Sequence, residues 1–261
     1  MSNCESASPR TLIRILFILP FLTLLTGAAT ARSQAPAESP YYARANTFSV
    51  FSAYSGDSSH ILLGKAENRM LLEFGAAYGR KLLLNRIVNW QYNGELLPVA
   101  LESDPHSHLV FNQTLPTVAT GSYDSEPDVS CATVTTPYSW TLANDVTYIG
   151  TFTQTCHGRQ WTIGEAISPA GFQWNFLPRR KTQPFLIAHG GYMYSTQPIP
   201  ISTAGSFNFT FDFGAGVELF HSRNRSVRAE YRIHHISNHG TAHDNPGIDN
   251  GLFQLTYSFG K

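Results

Sequence analysis

The sequence has few charged residues and no excess of either sign. Charged side chains make up 14% of the 261 residues, 18 of them basic and 18 acidic, whereas an ordinary soluble domain carries about 25%. A nucleic-acid-binding protein normally shows a basic excess, so the composition argues against that class. Aromatic residues reach 13%, and a surface with many aromatic and few charged side chains favours contact with lipid.

Beyond its first residues the sequence also lacks an apolar run of about 18 residues, the length that indicates a transmembrane helix. The apolar run at 15–25 is short, follows Arg10 and Arg14, and precedes the small residues Ala29 and Ala31. This order is typical of a secretory signal peptide, with cleavage predicted after Ala31. A retained membrane anchor is the alternative. The predicted organisation is a signal peptide (1–31), an N-terminal periplasmic tail (32–45) and a β-barrel (46–261).

Cysteine is scarce, with three residues in the chain. Cys4 leaves with the predicted signal peptide, so Cys131 and Cys156 remain. An exported chain reaches an oxidising compartment, and a disulfide between these two is therefore predicted. Two independent thiols are the alternative. No residues with ligand spacing accompany the cysteines, so they do not indicate a metal site.

Several segments alternate apolar and polar residues with period two, which is the pattern of a β-strand. The clearest runs from 207 to 220, where the polar face carries small residues. Its apolar face consists of Phe207, Phe209, Phe211, Phe213, Ala215, Val217 and Leu219. A continuous aromatic face opposite small polar residues is expected of a membrane barrel, which has lipid outside and a polar lumen inside.

The pattern predicts eight strands, each close to the roughly 9–11 residues that cross a bilayer at a tilt. Short turns, including one at Gly79-Arg80, alternate with long loops, which is the layout of an outer-membrane barrel. The predicted strands are 46–55, 67–79, 81–93, 167–178, 183–195, 205–220, 226–238 and 249–260.

The fold class predicted is therefore all-β, an eight-stranded antiparallel transmembrane barrel of the bacterial outer membrane. A soluble β-sandwich or a lipocalin-like barrel is the alternative, with the aromatic faces turned inward. The small number of Lys and Glu on the polar faces favours the membrane barrel. Residues 94–166 are predicted to form one long external insertion, pinned by the disulfide, that could contain further strands.

Three polar residues continue the apolar rows of the last two predicted strands. His235 and Ser237 extend the outward face of the seventh strand, and Asp249 extends that of the eighth. A polar group on a lipid-facing row is costly unless it has partners. A serine needs an adjacent base to act as a nucleophile, and the base needs a carboxylate to fix its tautomer. The spacing therefore indicates a Ser237–His235–Asp249 hydrolase site at the outer rim. The alternative is that these groups hydrogen-bond loops or lipid headgroups.

The run His235-Ile236-Ser237-Asn238, then Gly240, then Asn245-Pro246-Gly247-Ile248-Asp249 resembles the lipid A 3-O-deacylase family (PagL-type acyloxyacyl hydrolases). The resemblance implies an eight-stranded outer-membrane barrel that removes the ester-linked acyl chain at position 3 of lipid A. It implies Ser237 as nucleophile, His235 as base, and Asn238 and Gly240 as oxyanion donors. Asp249 stands where the family has glutamate, which makes the carboxylate one methylene shorter and its reach to His235 a question.

The resemblance further implies lipid A or lipopolysaccharide in the outer leaflet as partner. The serine–histidine–acid chemistry requires no metal or cofactor, and the composition indicates no nucleic-acid partner. A homodimer is also considered. Arg159 and Lys65, on external segments, are weak candidates for lipid A phosphate ligands, whereas the basic run at 179–181 is assigned to the periplasmic side. The rival functions are a structural or adhesive barrel, a small pore and an acyl transferase.

Overall fold

A computed structural model of the chain describes residues 40–127 and 131–261. The predicted signal peptide, and all of the predicted tail before residue 40, lie outside the described residues. No helix in these two ranges is long and apolar enough to span a membrane.

The described residues form ten strands, all in one antiparallel sheet. They are β1 (Asn46–Ser55), β2 (Met70–Leu84), β3 (Val88–Leu115), β4 (Ala119–Ser125), β5 (Val134–Thr141), β6 (Thr147–Phe176), β7 (Thr182–Ser195), β8 (Phe207–Ser222), β9 (Arg225–Ser237) and β10 (Ile248–Gly260).

Eight of these strands close into a barrel, as predicted. Neighbouring strands pair in the order β3-β2-β1-β10-β9-β8-β7-β6, and pairing of β3 with β6 completes the ring. The closing register runs from Val88 opposite Phe176 to Leu115 opposite Ile149. A closed ring leaves no unpaired strand edge, which is the condition for a sheet to lie in hydrocarbon.

The apolar rows face outward and the polar rows face the lumen. On β8, Phe211 and Phe213 are 36% and 42% exposed, whereas the alternate residues Asn208 and Asp212 are buried. The same division holds on β9 and β10. This orientation confirms the membrane barrel, and the soluble alternative with inward aromatic faces is wrong.

The barrel has short turns at one end and long loops at the other. Turns at 85–87, 177–181 and 223–224 lie at the end that also holds both ends of the barrel wall, and loops 56–69, 196–206 and 238–247 lie at the opposite, external end. The predicted turn at Gly79-Arg80 is wrong, because both residues continue β2 opposite β3. The real turn forms at Asn85, whose side-chain oxygen accepts the N–H groups of Ile87 and Val88.

Much of the stretch 94–166 is strand and not loop. β3 and β6 stay paired beyond the last contact of β3 with β2, at Ser103. Two shorter strands flank this extension, β4 on β3 and β5 on β6. We call the extension, residues 104–127 with 131–163, the outer ribbon. A disulfide joins Cys131 to Cys156 within it.

Charged side chains fill the lumen and pair across it. Arg232 donates to Glu95 (2.8 Å) and Glu230 (3.0 Å), and Arg44 donates to Glu218 (2.5 Å). The residues of these pairs are all buried. Eight strands enclose a space that side chains can fill, so the interior is a packed polar core, which argues against the rival function of an open pore.

The outward orientation gives a stability prediction. Replacing Phe213 near the middle of β8 by Lys should lower the free energy of unfolding in lipid by about 2–4 kcal/mol, because the ammonium would lie in hydrocarbon. Denaturant titration of the protein in phospholipid vesicles measures this change. The matched control is Val118→Lys, at an 84% exposed position on the outer ribbon, where the effect should stay within about 0.5 kcal/mol. Equal effects at both positions would contradict the assigned lipid face.

Candidate active site

The predicted site residues lie at the external end of β9 and β10. His235 and Ser237 continue the outward row of β9 and stand opposite Phe211 and Phe209 of β8. The ring of His235 lies 5.0 Å from that of Phe211. The two polar side chains thus sit where the aromatic exterior meets the external loops.

His235 and Asp249 form a cross-strand pair. They are directly opposite in the β9–β10 register, and His235 Nδ1 lies 2.5 Å from Asp249 Oδ1. Asp249 is fully buried and His235 is nearly so. The shorter carboxylate therefore reaches the imidazole without difficulty. A carboxylate on Nδ1 holds the ring so that Nε2 is presented to its other side.

The second carboxylate oxygen of Asp249 is held by the external loop between β1 and β2. Asp249 Oδ2 accepts the backbone N–H groups of Leu62 (2.5 Å), Leu63 (2.9 Å) and Gly64 (2.9 Å). Consecutive amides that converge on one oxygen make an anion-binding concavity. The carboxylate is therefore fixed on both sides, by the histidine and by the loop.

Arg69, the last residue of this loop, anchors it to other external segments. Its buried guanidinium donates to Asp104 (2.9 Å), Glu67 O (2.6 Å) and Pro200 O (3.1 Å), and also to Pro127 O. These partners come from the loop, from the loop between β7 and β8, and from the outer ribbon. The loop conformation that binds Asp249 thus depends on packing among several external segments.

Ser237 lies in a cleft of about 300 Å³ that His235 also lines. Its hydroxyl donates to Asn245 Oδ1 (3.0 Å) and accepts the N–H of His239 (3.2 Å). Among the described residues, Ser237 and His235 share the cleft without a hydrogen bond to each other. Catalytic hydrogen bonds are often unformed before substrate binds, and rotation of the hydroxyl away from Asn245 would be needed to form this one.

The predicted oxyanion donors have acceptors within the chain. The N–H of Asn238 donates to Asn245 Oδ1 (3.2 Å), and that of Gly240 donates to Asn238 Oδ1 (2.8 Å). Asn245 Oδ1 therefore accepts from both Ser237 and Asn238. An oxygen of the substrate would have to replace these acceptors before either amide could stabilise an oxyanion.

The two candidate phosphate ligands differ. The guanidinium of Arg159 forms hydrogen bonds within the chain. It donates to the Ser103 hydroxyl (2.8 Å), the Ser103 carbonyl (2.6 Å) and the Asn68 carbonyl (2.6 Å). These bonds hold the β1–β2 loop to the outer ribbon, and a role of Arg159 as a phosphate ligand stays a prediction. Lys65 is exposed beside the cleft, and its role stays a prediction.

A group of potential metal ligands lies in the lumen, away from the cleft. Glu95, His189 and Asp212 place their ligand atoms within 4.8 Å of one another. Arg232 already pairs with both carboxylates, at 2.8 Å from Glu95 and 3.3 Å from Asp212. A metal there would have to displace a buried guanidinium, so the group is better understood as part of the lumen's ionic network.

Two features of the site could not be found by sequence reasoning. The amides of residues 62–64 act through their backbone, and no side-chain pattern marks them. Asn245 belongs to the run that carries the family resemblance, but the sequence gives it no role. Its proximity to Ser237 depends on how the loop 238–247 folds back over the cleft.

The fold and this site define a class, an outer-membrane β-barrel with a serine, a histidine and a carboxylate at its external rim. Within that class, the model of the lipid A 3-O-deacylase (PagL) family matches residues 131–258, which include all the predicted catalytic and oxyanion residues. The match confirms the family resemblance. Together with the apolar exterior, it places the protein in the bacterial outer membrane.

Solved outer-membrane proteins resemble the chain over most of its length. The outer membrane enzyme PagL has 13% identity and a TM-score of 0.46, covering 82% of this chain and 99% of that one. Neisserial surface protein A (NspA) has 11% identity and a TM-score of 0.37, covering 83% and 97%. LpxR from Salmonella typhimurium has 6% identity and a TM-score of 0.24, covering 82% and 100%. No curated protein sequence gives a significant match. The homodimer stays a prediction without support from these findings.

The hydrogen bonds from the loop amides to Asp249 give a prediction at Gly64. A Cβ there would lie 2.6 Å from the backbone nitrogen of Asp249 and 2.8 Å from the carbonyl carbon of Ile248, so Gly64→Ala should push the loop off the carboxylate. Hydrogen exchange at the amides of residues 62–64 should then speed up at least tenfold. Gly56→Ala in the same loop is the control, because its Cβ would meet the movable tip of Tyr54, at 3.3 Å. Unchanged hydrogen exchange at the amides of residues 62–64 in Gly64→Ala would contradict their bonding to Asp249.

Proposed function

We propose that the protein hydrolyses an ester-linked acyl chain of lipid A, at position 3, by a serine–histidine–aspartate mechanism. The observation that carries the proposal is the buried His235–Asp249 pair beside Ser237, in a cleft at the lipid-facing rim. The family match over residues 131–258 supports lipid A deacylation in the outer membrane as the activity.

In the first step Ser237 Oγ attacks the ester carbonyl carbon. His235, held by Asp249 at Nδ1, takes the hydroxyl proton at Nε2 and becomes an imidazolium that the carboxylate stabilises. The bond between the acyl carbon and the sugar oxygen then breaks, His235 gives its proton to that oxygen as the sugar leaves, and an acyl-serine remains. Water, deprotonated by His235, attacks the acyl-serine; the bond between the acyl carbon and Ser237 Oγ breaks, Oγ takes the proton back from His235, and the fatty acid is released.

The substrate carbonyl oxygen has a natural place in this scheme. Asn245 Oδ1 now accepts from Ser237 Oγ and from the N–H of Asn238, at 3.0 and 3.2 Å. A carbonyl oxygen taking that place would meet the Asn238 amide while its carbon faces the serine. Asn245 is exposed, so it can swing away and free Ser237 to turn to His235. Removing one such oxyanion donor costs other hydrolases about 2.7–4 kcal/mol.

The geometry of the cleft suits an acyl substrate in the outer leaflet. Phe209 and Phe211 of the aromatic exterior form one wall, and the exposed Leu63 stands at its edge. An acyl chain could follow these side chains from the bilayer to Ser237 without leaving apolar surroundings. The ester, at the boundary of chain and sugar, would then lie level with the loops.

The nucleophile assignment predicts that Ser237→Ala abolishes deacylation and leaves the barrel folded. Mass spectrometry of lipid A incubated with the protein in detergent should show loss of one hydroxyacyl chain with the wild type and none with the variant. Ser222→Ala, at an exposed serine by the opposite rim, is the matched control and should be fully active. Heat-modifiable gel mobility checks folding.

The outcomes separate the rival functions. Deacylation that persists in Ser237→Ala would overturn the mechanism. No reaction with the folded wild type would instead favour a structural or adhesive barrel. Transfer of the acyl chain to an added alcohol in preference to water would identify an acyl transferase.

The role of Asp249 gives a second prediction. Asp249→Asn should lower kcat by up to about 10⁴-fold, as loss of the corresponding carboxylate does in serine proteases, because the imidazolium loses its stabilising charge. Asp249→Glu should also lose activity, although it restores the family residue. The loop amides already lie within hydrogen-bond distance of the shorter aspartate, so they leave no room for an added methylene. Initial rates on lipid A measure both. Activity of Asp249→Glu at or above the wild type would show that the loop does not select the shorter acid.

A further inference from the structure

Three histidines and an aspartate meet on one face at the base of the outer ribbon, far along the chain from the hydrolase motif. They are His106 and His108 on β3, His157 on β6 and Asp124 on β4. The family resemblance and the proposed mechanism give them no role. The cluster draws on three different strands, so it exists only when the ribbon is folded.

The strand geometry turns these side chains to the same side. His106 and His108 are two residues apart, so they project from the same face of β3. His108 lies opposite Asp124 in the β3–β4 register. The β3–β6 register shifts between Pro105 and Ser107, and such a bulge re-aims a side chain. The shift brings His157 beside both histidines of β3.

Two of the ring separations lie near those of ligands on one metal ion. The ring of His157 lies 5.4 Å from that of His106 and 6.2 Å from that of His108, centre to centre. With a Zn–N bond of about 2.1 Å and a ring centre roughly 1.1 Å beyond the nitrogen, two imidazoles on a tetrahedral ion have centres about 5 Å apart. The His157–His106 separation is close to this value, and side-chain rotations would have to bring His108 nearer to His157 for the three rings to bind one ion.

Asp124 stands where a supporting carboxylate is needed. Its Oδ1 lies 2.7 Å from His108 Nδ1, which leaves Nε2 of His108 for a metal. Histidine ligands commonly have their other nitrogen held by a carboxylate in this way. The hydrogen bond from His108 lowers the pKa of Asp124, and the charges of His106 and His157 act in the same direction.

The surroundings hold the cluster in place and leave it open. Cys156, next to His157, is joined to Cys131 by the disulfide, and the Ser107 hydroxyl donates to the Ser125 carbonyl (3.1 Å). The hydrogen bond ties β3 to β4, and the disulfide ties β6 to the segment that precedes β5. His157 is exposed and His108 partly so, so an ion could reach them from the external solution.

We propose that His106, His108 and His157, supported by Asp124, form a binding site for a divalent transition-metal ion such as Zn²⁺. Neutral imidazole is a favoured ligand of zinc and neighbouring metals. Three histidines leave one tetrahedral position for water or an external ligand. The bound ion would link β3 to β6, and through Asp124 to β4, outside the membrane. This site is independent of the proposed esterase chemistry.

The test is calorimetric titration of Zn²⁺ into the full protein, extracted from the outer membrane in detergent and carrying no histidine tag. One zinc per chain is expected with the wild type. His157→Ala and His106→Ala should each weaken binding at least tenfold, and Asp124→Asn should weaken it about 10–100-fold, the usual effect of losing a supporting carboxylate. His221→Ala, at an exposed histidine by the opposite rim, should bind as the wild type does.

A second readout separates ligand loss from damage to the fold. Co²⁺ in place of Zn²⁺ should give the intense visible absorption of a tetrahedral site with the wild type and the His221 variant, and lose it in the His157 variant. Heat-modifiable mobility should be the same for all of them. Absence of zinc binding in the folded wild type, or equal binding by the wild type and the His157 and His106 variants, would overturn the proposal.

Discussion

The structure depends on pairing every backbone polar group of the barrel wall in a medium that offers no water. The pairing of β3 with β6 meets this condition, because it closes the ring that the other strands leave open. Once the ring is closed, the two faces of every strand meet opposite environments. Aromatic rows such as that of Phe209, Phe211 and Phe213 lie outward, and the polar rows must satisfy one another inside. The paired charges of Arg232 and Glu95 in the lumen are a consequence of that closure.

The barrel was predictable from the sequence because the environment of successive side chains along each strand is periodic. The side chains of each wall strand alternate between lipid and lumen, so a period of two identified all eight strands. For β1 it also gave both end residues correctly. The turn after β2 was misplaced, because Gly79-Arg80 resembles a turn dipeptide while Asn85 forms the turn through its side chain. The outer ribbon was harder to predict. Outside the membrane neither face of a strand meets lipid, so the alternation that marks the wall weakens there.

The site was partly predictable for the same reason. Extending two outward rows by steps of two placed His235 and Asp249 on the same face of adjacent strands, and the structure pairs them at 2.5 Å. The amides of residues 62–64 and the oxygen of Asn245 could not be placed in this way. They belong to loops whose conformation is set by buried contacts of Arg69 and Arg159 with distant segments. Periodicity carries information about strands, and loop contacts follow from packing that no local pattern records.

Asp249, which stands where the family resemblance implies a glutamate, is held by the loop between β1 and β2. A shorter side chain keeps the carboxylate close to the β10 backbone, where Gly64 can approach it without a Cβ in the way. The same loop carries exposed Ile61, Leu62 and Leu63 at its surface. The backbone of residues 62–64 holds Asp249. The apolar surface of the loop and the orientation of the acid are therefore properties of one segment. Because Asp249 holds His235 in turn, the same segment positions the imidazole beside Ser237.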